Sequence, residues 1–411
     1  MSSPTTNPAW LGLPPGHPYG LATLPYATFT TADDPAPRLG VRIGDRVLDV
    51  PAAARNLAPE LLPTVDAGLD GLLAASSDAW SAVRSTITAW FTDPRTGPQV
   101  EALLYPLRAV TPHLPFTPAD YVDFYASEQH ATNLGRIFRP GQEPLTPNWK
   151  HLPIGYHGRA GTLVLSGTDI VRPAGQHRLP DGTIGTGPTA RLDIEAELGF
   201  VVGTPSELGR PVPLKAAGRH IFGVSLVNDW SARDIQAWEY VPLGPFLGKS
   251  FATSLSPWVV PLEALAGARV TPPERTHALS PYLDDTGLEP WGFDIDFEVL
   301  LNGHLIATPA YADMYWTPAQ MLAHLTANGA SLRSGDFFAS GTVSGPQHDQ
   351  RGSLIELTWG GTEPLHLPGG STRTFLEDGD EVVITATARG PHGSRLGLGE
   401  VRGRIVPARE V

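Results

Sequence analysis

Apolar and polar positions along this chain follow two different periods, and the change between them divides it. Over residues 39–50 (Leu-Gly-Val-Arg-Ile-Gly-Asp-Arg-Val-Leu-Asp-Val) a two-residue alternation surrounds Gly44 and Asp45, which predicts a β-hairpin. Over 78–91, Trp80, Val83, Ile87 and Trp90 recur at steps of three and four, which predicts a helix whose tryptophans pack inward. Residues 1–37 read as loop with short extended pieces, and 51–93 as two or three short helices. Three prolines within 111–118 stiffen the chain, and a domain boundary is placed there, giving an N-terminal domain over 1–115 and a larger domain over 116–411. Beyond the boundary, short β-like runs bounded by Gly and Pro recur at 163–164, 193–202, 221–227, 258–261, 293–301, 353–359 and 381–388. Helical segments are expected at 119–137, 231–240 and 317–328. The expected fold class is mainly β with some α, a sandwich, barrel or roll with long loops.

Charged groups fall inside this apolar pattern at places where burial would be costly. Residues 192–198 (Leu-Asp-Ile-Glu-Ala-Glu-Leu) alternate strictly, so a strand would put Asp193, Glu195 and Glu197 on one face. Carboxylates two residues apart on a strand lie about 6.6 Å apart at the backbone, and if buried they repel unless a cation sits among them. If solvated, they mark only an outer strand. All-oxygen ligands would select a hard ion such as Ca2+ or Mg2+. In 228–258, Asp229, Arg233, Gln236 and Tyr240 fall at helical steps, Ser231 and Asp234 read as a capping box, and Lys249 follows a Pro/Gly-rich loop. A solvated helix with an ordinary ion pair is the alternative there. Residues 120–135 bring Asp123, Tyr125, Glu128 and His130 together, with Asp123 and His130 two turns apart if one helix holds both. Residues 151–161 form a glycine-rich loop with Tyr156, His157 and Arg159, and Glu356 is a lone acid in an apolar strand, which needs a partner if buried. Ser340 is out of register for the Gly-x-Ser-x-Gly elbow of serine hydrolases.

Composition narrows the classes further. Hydrophobic content of 41% and charged content of 17% describe a folded protein. A net charge of −13 without a basic block argues against nucleic acid as a partner. The chain has no cysteine, which removes disulfides, thiolate metal sites and a cysteine nucleophile together. No apolar run long enough for a membrane span and no signal peptide are visible, so the cytoplasm is the expected location.

Segments 120–135, 148–160 (Asn-Trp-Lys-His-Leu-Pro-Ile-Gly-Tyr-His-Gly-Arg-Ala), 192–200, 228–257, 314–317 (Met-Tyr-Trp-Thr) and 339–345 resemble the fumarylacetoacetase family. The resemblance covers essentially all of 115–411. It implies a small SH3-like N-terminal domain, a C-terminal β-roll and a homodimer. It implies hydrolysis of a carbon–carbon bond in a diketo dicarboxylate, with related acylpyruvate hydrolases or decarboxylases, or a non-catalytic Ca2+-binding β module, as alternatives. Residue by residue, Asp123, Glu195, Glu197 and Asp229 match the family's Ca2+ ligands, and Asp229, Lys249 and Thr253 a second, Mg2+ site. Tyr125, Arg139, Tyr156, Gln236, Tyr240 and Thr342 match substrate contacts. His130 matches the general base, Glu356 the acid that orients it, and Arg233, Gln236 and Lys249 the groups that stabilise developing negative charge.

Overall fold

The computed structural model describes residues 6–409; residues 1–5, where part of the opening loop and the absence of a signal peptide were read, lie outside the described residues. The expected hairpin forms from Arg38–Ile43 and Arg46–Asp49, with Ile43 opposite Arg46 across the turn. It sits in a five-stranded antiparallel sheet whose spatial order is Leu104–Pro106, Arg46–Asp49, Arg38–Ile43, Tyr26–Thr31, Val110–Pro112. The helix predicted at 78–91 runs Ser77–Thr92, started by the Ser76 hydroxyl accepting from Ala79 N, and buries Trp80, Val83, Ile87 and Trp90 as their spacing requires.

The rest of the chain builds two large sheets, with four two-stranded ones beside them, around one large apolar core. The central sheet runs Gly155–His157, Asp120–Phe124, Asp336–Ala339, Ala196–Val202, Ile221–Asp229, Thr253–Leu255, Leu163–Leu165, with Val260–Pro261 added beside Ile221–Asp229. Its pairs are antiparallel except 120–124 with 336–339 and 163–165 with 253–255. The second sheet orders His304–Ala307, Ile295–Leu301, Glu381–Arg389, Arg395–Val406, Ile170–Val171. Ala196, Leu198, Phe200 and Val202 face the core between the sheets. Val201, Phe222, Val227 and Phe337 face the other way, into a core shared with the N-terminal helices. Trp80 meets Phe222 edge-on at 5.2 Å, and Tyr26 exchanges backbone hydrogen bonds with Val259 at 2.8 Å each way. The N-terminal unit is therefore docked on the back of the sheet. Both strand faces are covered, so every residue of Ala196–Val202 and Ile221–Asp229 is buried. Among the described residues no helix is long and apolar enough to cross a membrane.

Four local expectations change in the folded chain. Residues 119–137 do not form one helix: Asp120–Phe124 is a strand, because its Tyr, Val and Phe pair on both sides, and the helix is Glu128–Phe138, capped by Ser127. Residues 192–198 are not one strand. Leu192–Asp193 pairs with Ser231–Ala232, the chain steps at Ile194 and Glu195, and Ala196–Val202 enters the central sheet. That pairing also takes Ser231 away from any cap: its hydroxyl donates to Asp229 O, and the helix begins at Arg233 and ends at Glu239. Asp234 instead accepts from the Thr189 hydroxyl and from Ala190 N. The apolar run 353–359 contains a short helix, Leu354–Leu357, rather than a strand. By contrast, Pro318–Thr326 is helical as its pattern predicts, with a complete Thr317/Gln320 capping box.

Candidate active site and metal centre

Strand register places the acids. Asp123 lies at the end of Asp120–Phe124 opposite Tyr156, and Asp229 at the end of Ile221–Asp229 opposite Thr253, whose hydroxyl donates to it at 2.6 Å. Glu197 pairs with Val227 on the same face, and Glu195 enters from the step before that strand. One oxygen from each of Asp123, Glu195, Glu197 and Asp229 lies within 4.8 Å of the others, and all four residues are buried. Asp193, the first acid of the alternating row, turns away to Arg233.

Two cations enter the cluster without covering it evenly. Arg233 Nη2 donates to Glu195 Oε1 at 2.7 Å, and the Lys249 ammonium contacts Glu195 Oε2 and, at 2.6 Å, Asp229 Oδ2. Burial alone would push the Glu195 carboxyl up, but Arg233, Lys249 and His130 outweigh it and hold Glu195 well below the carboxylate range. Glu197 and Asp123 have no such partner. Burial first, then the neighbouring acids, pushes both well above their ordinary values. Asp229 is raised for the same reason, against the pull of Lys249. Both oxygens of Glu197 and Oδ1 of Asp123 have no hydrogen-bond partner at all. Unpaired carboxylate oxygens at this depth are rare in folded proteins, and a hard cation is the group whose ligand chemistry they fit. Lys249 is itself held protonated: burial would lower it, but Asp229 and Glu195 raise it above the ordinary lysine value. An ammonium has no lone pair for a metal, so Lys249 stands in this cluster as a counter-charge.

Beside the acids, His130 sits in the first turn of its helix, its N–H donating to the Ser127 hydroxyl at 3.2 Å. Nδ1 lies 2.7 Å from Glu356 Oε2, and Nε2 lies 3.6 Å from Glu195 Oε1. Glu356 is fully buried and also accepts from Asn133 Nδ2 at 2.9 Å and from the Ser344 and Ser353 hydroxyls at 2.9 and 2.7 Å. Burial would push its carboxyl up, but the imidazole and these donors together hold it below the ordinary value. An ionised Glu356 accepts from Nδ1–H and orients the ring, with Nε2 turned toward the acid cluster.

A cavity of about 320 Å3 opens over these groups. Of the residues predicted for the site, all line it except Glu197, Asp229, Thr253 and Glu356. Glu356 stands behind His130, while Asp229 and Thr253 line a neighbouring cavity of about 280 Å3 that shares Tyr156, Pro245 and Lys249 with the first. Arg139, at the end of the 128–138 helix, donates to Pro144 O at 2.8 Å, and Tyr240 stacks on Phe138 at 6.3 Å. Arg233 Nη1 fixes Gln236 through its Oε1 at 3.0 Å, and the Thr342 hydroxyl is buried without a partner. Gly341 supplies a positive φ of 74° where a Cβ would lie 2.2 Å from Phe124 O, so only glycine lets this wall close on the 120–124 strand. Among the described residues, none before Tyr121 lines either cavity.

Some members of the site escape sequence reading. Asn133 follows His130 by three on one helix face, a spacing that marks it as a neighbour of the imidazole. Nothing local marks Ser344, Ser353 or the buried, unpartnered Tyr121 hydroxyl beside the acids.

Residues 120–406 match the family described as "Fumarylacetoacetate (FAA) hydrolase C-terminal", and residues 22–115 match "Fumarylacetoacetase N-terminal". The chain is 44% identical over 407 residues to the fumarylacetoacetase of Homo sapiens, covering 95% of this chain and 96% of that one. It belongs to the fumarylacetoacetase family. Other family relatives include the fumarylacetoacetases of Caenorhabditis elegans, 42% identical over 97% of this chain and 99% of the relative, and of Arabidopsis thaliana, 42% identical over 95% and 96%. Among solved structures, the fumarylacetoacetate hydrolase of Exiguobacterium antarcticum superposes with a TM-score of 0.52 at 18% identity, covering 94% of this chain and all of that one. Maleylpyruvate hydrolase from Sphingobium sp. SYK-6 superposes with a TM-score of 0.52 at 16% identity, covering 93% and 100%. These likenesses show a fold shared with both proteins.

Proposed function

We propose that this protein hydrolyses 4-fumarylacetoacetate with one water to fumarate and acetoacetate, cleaving a carbon–carbon bond of the diketo acid in the last step of tyrosine and phenylalanine breakdown. One observation carries the reading most directly. A carboxylate-fixed imidazole, His130, lies 3.6 Å from a buried acid cluster whose oxygens are only partly paired, at the wall of a cavity lined by further cations. The relatives named fumarylacetoacetase, matched over nearly the whole chain, support the substrate.

In this reading Asp123, Glu195, Glu197 and Asp229 hold a hard divalent cation, taken to be Ca2+. Oxygens of Asp229 and Thr253 offer a second, Mg2+ position beside Lys249. When bound, such a cation supplies Lewis acidity that polarises the two diketo oxygens. His130 Nε2 takes the proton of the attacking water, while Glu356 holds Nδ1–H and stabilises the imidazolium that results. Arg233, Gln236 and Lys249 face the carbonyl region and stabilise negative charge as it develops. The proton on Nε2 then returns to the leaving carbon, so the imidazole ends the cycle neutral. Arg139, Tyr125, Tyr156, Tyr240 and Thr342 anchor the carboxylate ends, and fixed cations explain how a chain of charge −13 takes an anionic substrate. The family likeness further supports a homodimer, an SH3-like course for the N-terminal sheet, and work in the cytoplasm.

The test is turnover of fumarylacetoacetate, followed by its loss of absorbance and by identification of both products. Acylpyruvates serve as competitors, and chelated and cation-replete protein are compared. Turnover of acylpyruvates alone, or equal turnover after chelation, would overturn the reading.

A further inference from the structure

Asp193 heads the row of acids at 193, 195 and 197, yet its carboxylate serves a different purpose from theirs. It is fully buried and accepts four hydrogen bonds: Oδ2 from Arg233 Nε at 2.8 Å and Ile355 N at 3.1 Å, Oδ1 from Leu354 N and Ile194 N at 2.7 Å each. Leu354 and Ile355 open the short helix Leu354–Leu357, and their N–H groups have no acceptor within that helix. Ser353 stands at the N-cap position but gives its hydroxyl to Glu356 instead. A carboxylate from a distant strand thus does the work of a cap. The helix it caps carries Glu356, and Glu356 holds His130. Its other partner, Arg233, lines the cavity and grips Glu195, which itself lies 3.6 Å from His130 Nε2. These contacts close a ring from Asp193 through Arg233, Glu195, His130 and Glu356 back to the 354–357 backbone.

We propose that Asp193 is a positioning residue for the hydrolysis: it ties the cavity guanidinium of Arg233 and the helix bearing Glu356 into one frame. The separation between the charge-stabilising group and the proton-accepting imidazole is then set by one carboxylate that touches neither substrate nor metal. The proposal rests on the reading of His130 and Arg233 given above. A bound substrate makes the same ground-state contacts with or without this frame, so loosening it acts on kcat more than on KM.

The experiment compares wild type with Asp193→Asn, whose amide offers one acceptor and one donor where two acceptors are needed. Expected is a kcat lower by about 10- to 100-fold, the usual effect of removing a group that orients a functional one, with a far smaller change in KM. The His130 Nδ1 proton, followed by NMR in protein carrying nitrogen-15 histidine, is expected to move or broaden. Combined with Glu356→Gln, the loss should be less than the product of the two single losses, because both act on the same imidazole. A folded Asp193→Asn protein with wild-type kcat and an unmoved His130 proton overturns the proposal, as does a strictly multiplicative double variant. Should Asp193→Asn fail to fold, Leu354→Pro decides. It removes one N–H donor to Asp193 while leaving Arg233 untouched, at a first helical position that accepts proline and after Ser353 at φ −139° and ψ 151°, which proline also accepts. An unchanged kcat and resonance there overturn the proposal; a shifted resonance with lowered kcat supports it. If wild type does not cleave the diketo acid at all, the functional reading falls, and the His130 resonance in the two variants still decides the positioning role.

Discussion

One face of the central sheet carries two regions that share strands, register and depth but differ in what covers them. Toward one end Val201, Phe222 and Phe337 meet Trp80, Tyr26 and Phe116 of the N-terminal unit. Toward the other end the sheet presents Glu197, Asp229 and Asp123, and among the described residues only Lys249 forms an ion pair with one of them, Asp229. The side chains of both regions are buried. The first gains roughly 1.5–3 kcal/mol for each large side chain removed from water. The second opposes folding, because desolvated carboxylates in each other's field are costly unless paired. Gly199 marks the border: a Cβ there would lie 2.0 Å from Phe337, so the apolar half reaches full density right up to the acids. The contrast teaches that one half of the face is packed by the N-terminal unit while the acid half keeps carboxylate oxygens without partners.

Removing divalent cations should break this contrast most severely. Chelation is expected to abolish turnover and lower the melting temperature, and calorimetric titration of the stripped protein should show tight binding that Asp123→Asn removes. Next in size, His130→Ala is expected to lower kcat by about 10²- to 10⁴-fold while leaving the melting temperature and cation affinity nearly unchanged. An equally large loss of stability would mean that the imidazole serves the fold. On the apolar half the signs reverse. Phe222→Ala should cost about 3–5 kcal/mol in denaturant unfolding, with kcat per folded molecule retained. Glu197→Gln sharpens the comparison with the smallest effect. In cation-free protein at neutral pH it should raise stability by about 1 kcal/mol or more, while weakening cation binding. The sign follows from the raised carboxyls of Glu197 and Asp123. A group that holds its proton more tightly when folded contributes most below the ordinary carboxylate pKa, and that contribution is lost as pH rises through the raised folded value. Melting temperature against pH should therefore fall across that window in chelated wild type. The fall should be shallower in Glu197→Gln, and shallow again in cation-saturated wild type.

How much was legible follows from the range of the forces involved. The hairpin around Gly44 and the helices at 77–92 and 318–326 obey local rules of turn, cap and period, and the chain carries those rules with it. Distant partners override the same rules elsewhere. The strand at 120–124 exists because 155–157 and 336–339 pair with it, and the helix at 354–357 because Asp193 accepts its first N–H groups. The identities of Asp123, Glu195, Glu197, Asp229 and His130 could be carried over from family likeness. The parting of Asp193 from its two neighbours could not, since it depends on a pairing with residues 231–232 nearly forty positions away.

The order of residues alone determined which side chains could do this chemistry, and likeness to known proteins named the candidates among them. Whether three alternating acids served one ion or two separate tasks was decided only in space. Spacing along a strand says which way a side chain would point if the strand continued, and the chain stops being a strand at Ile194 and Glu195 because two different sheets compete for its hydrogen bonds.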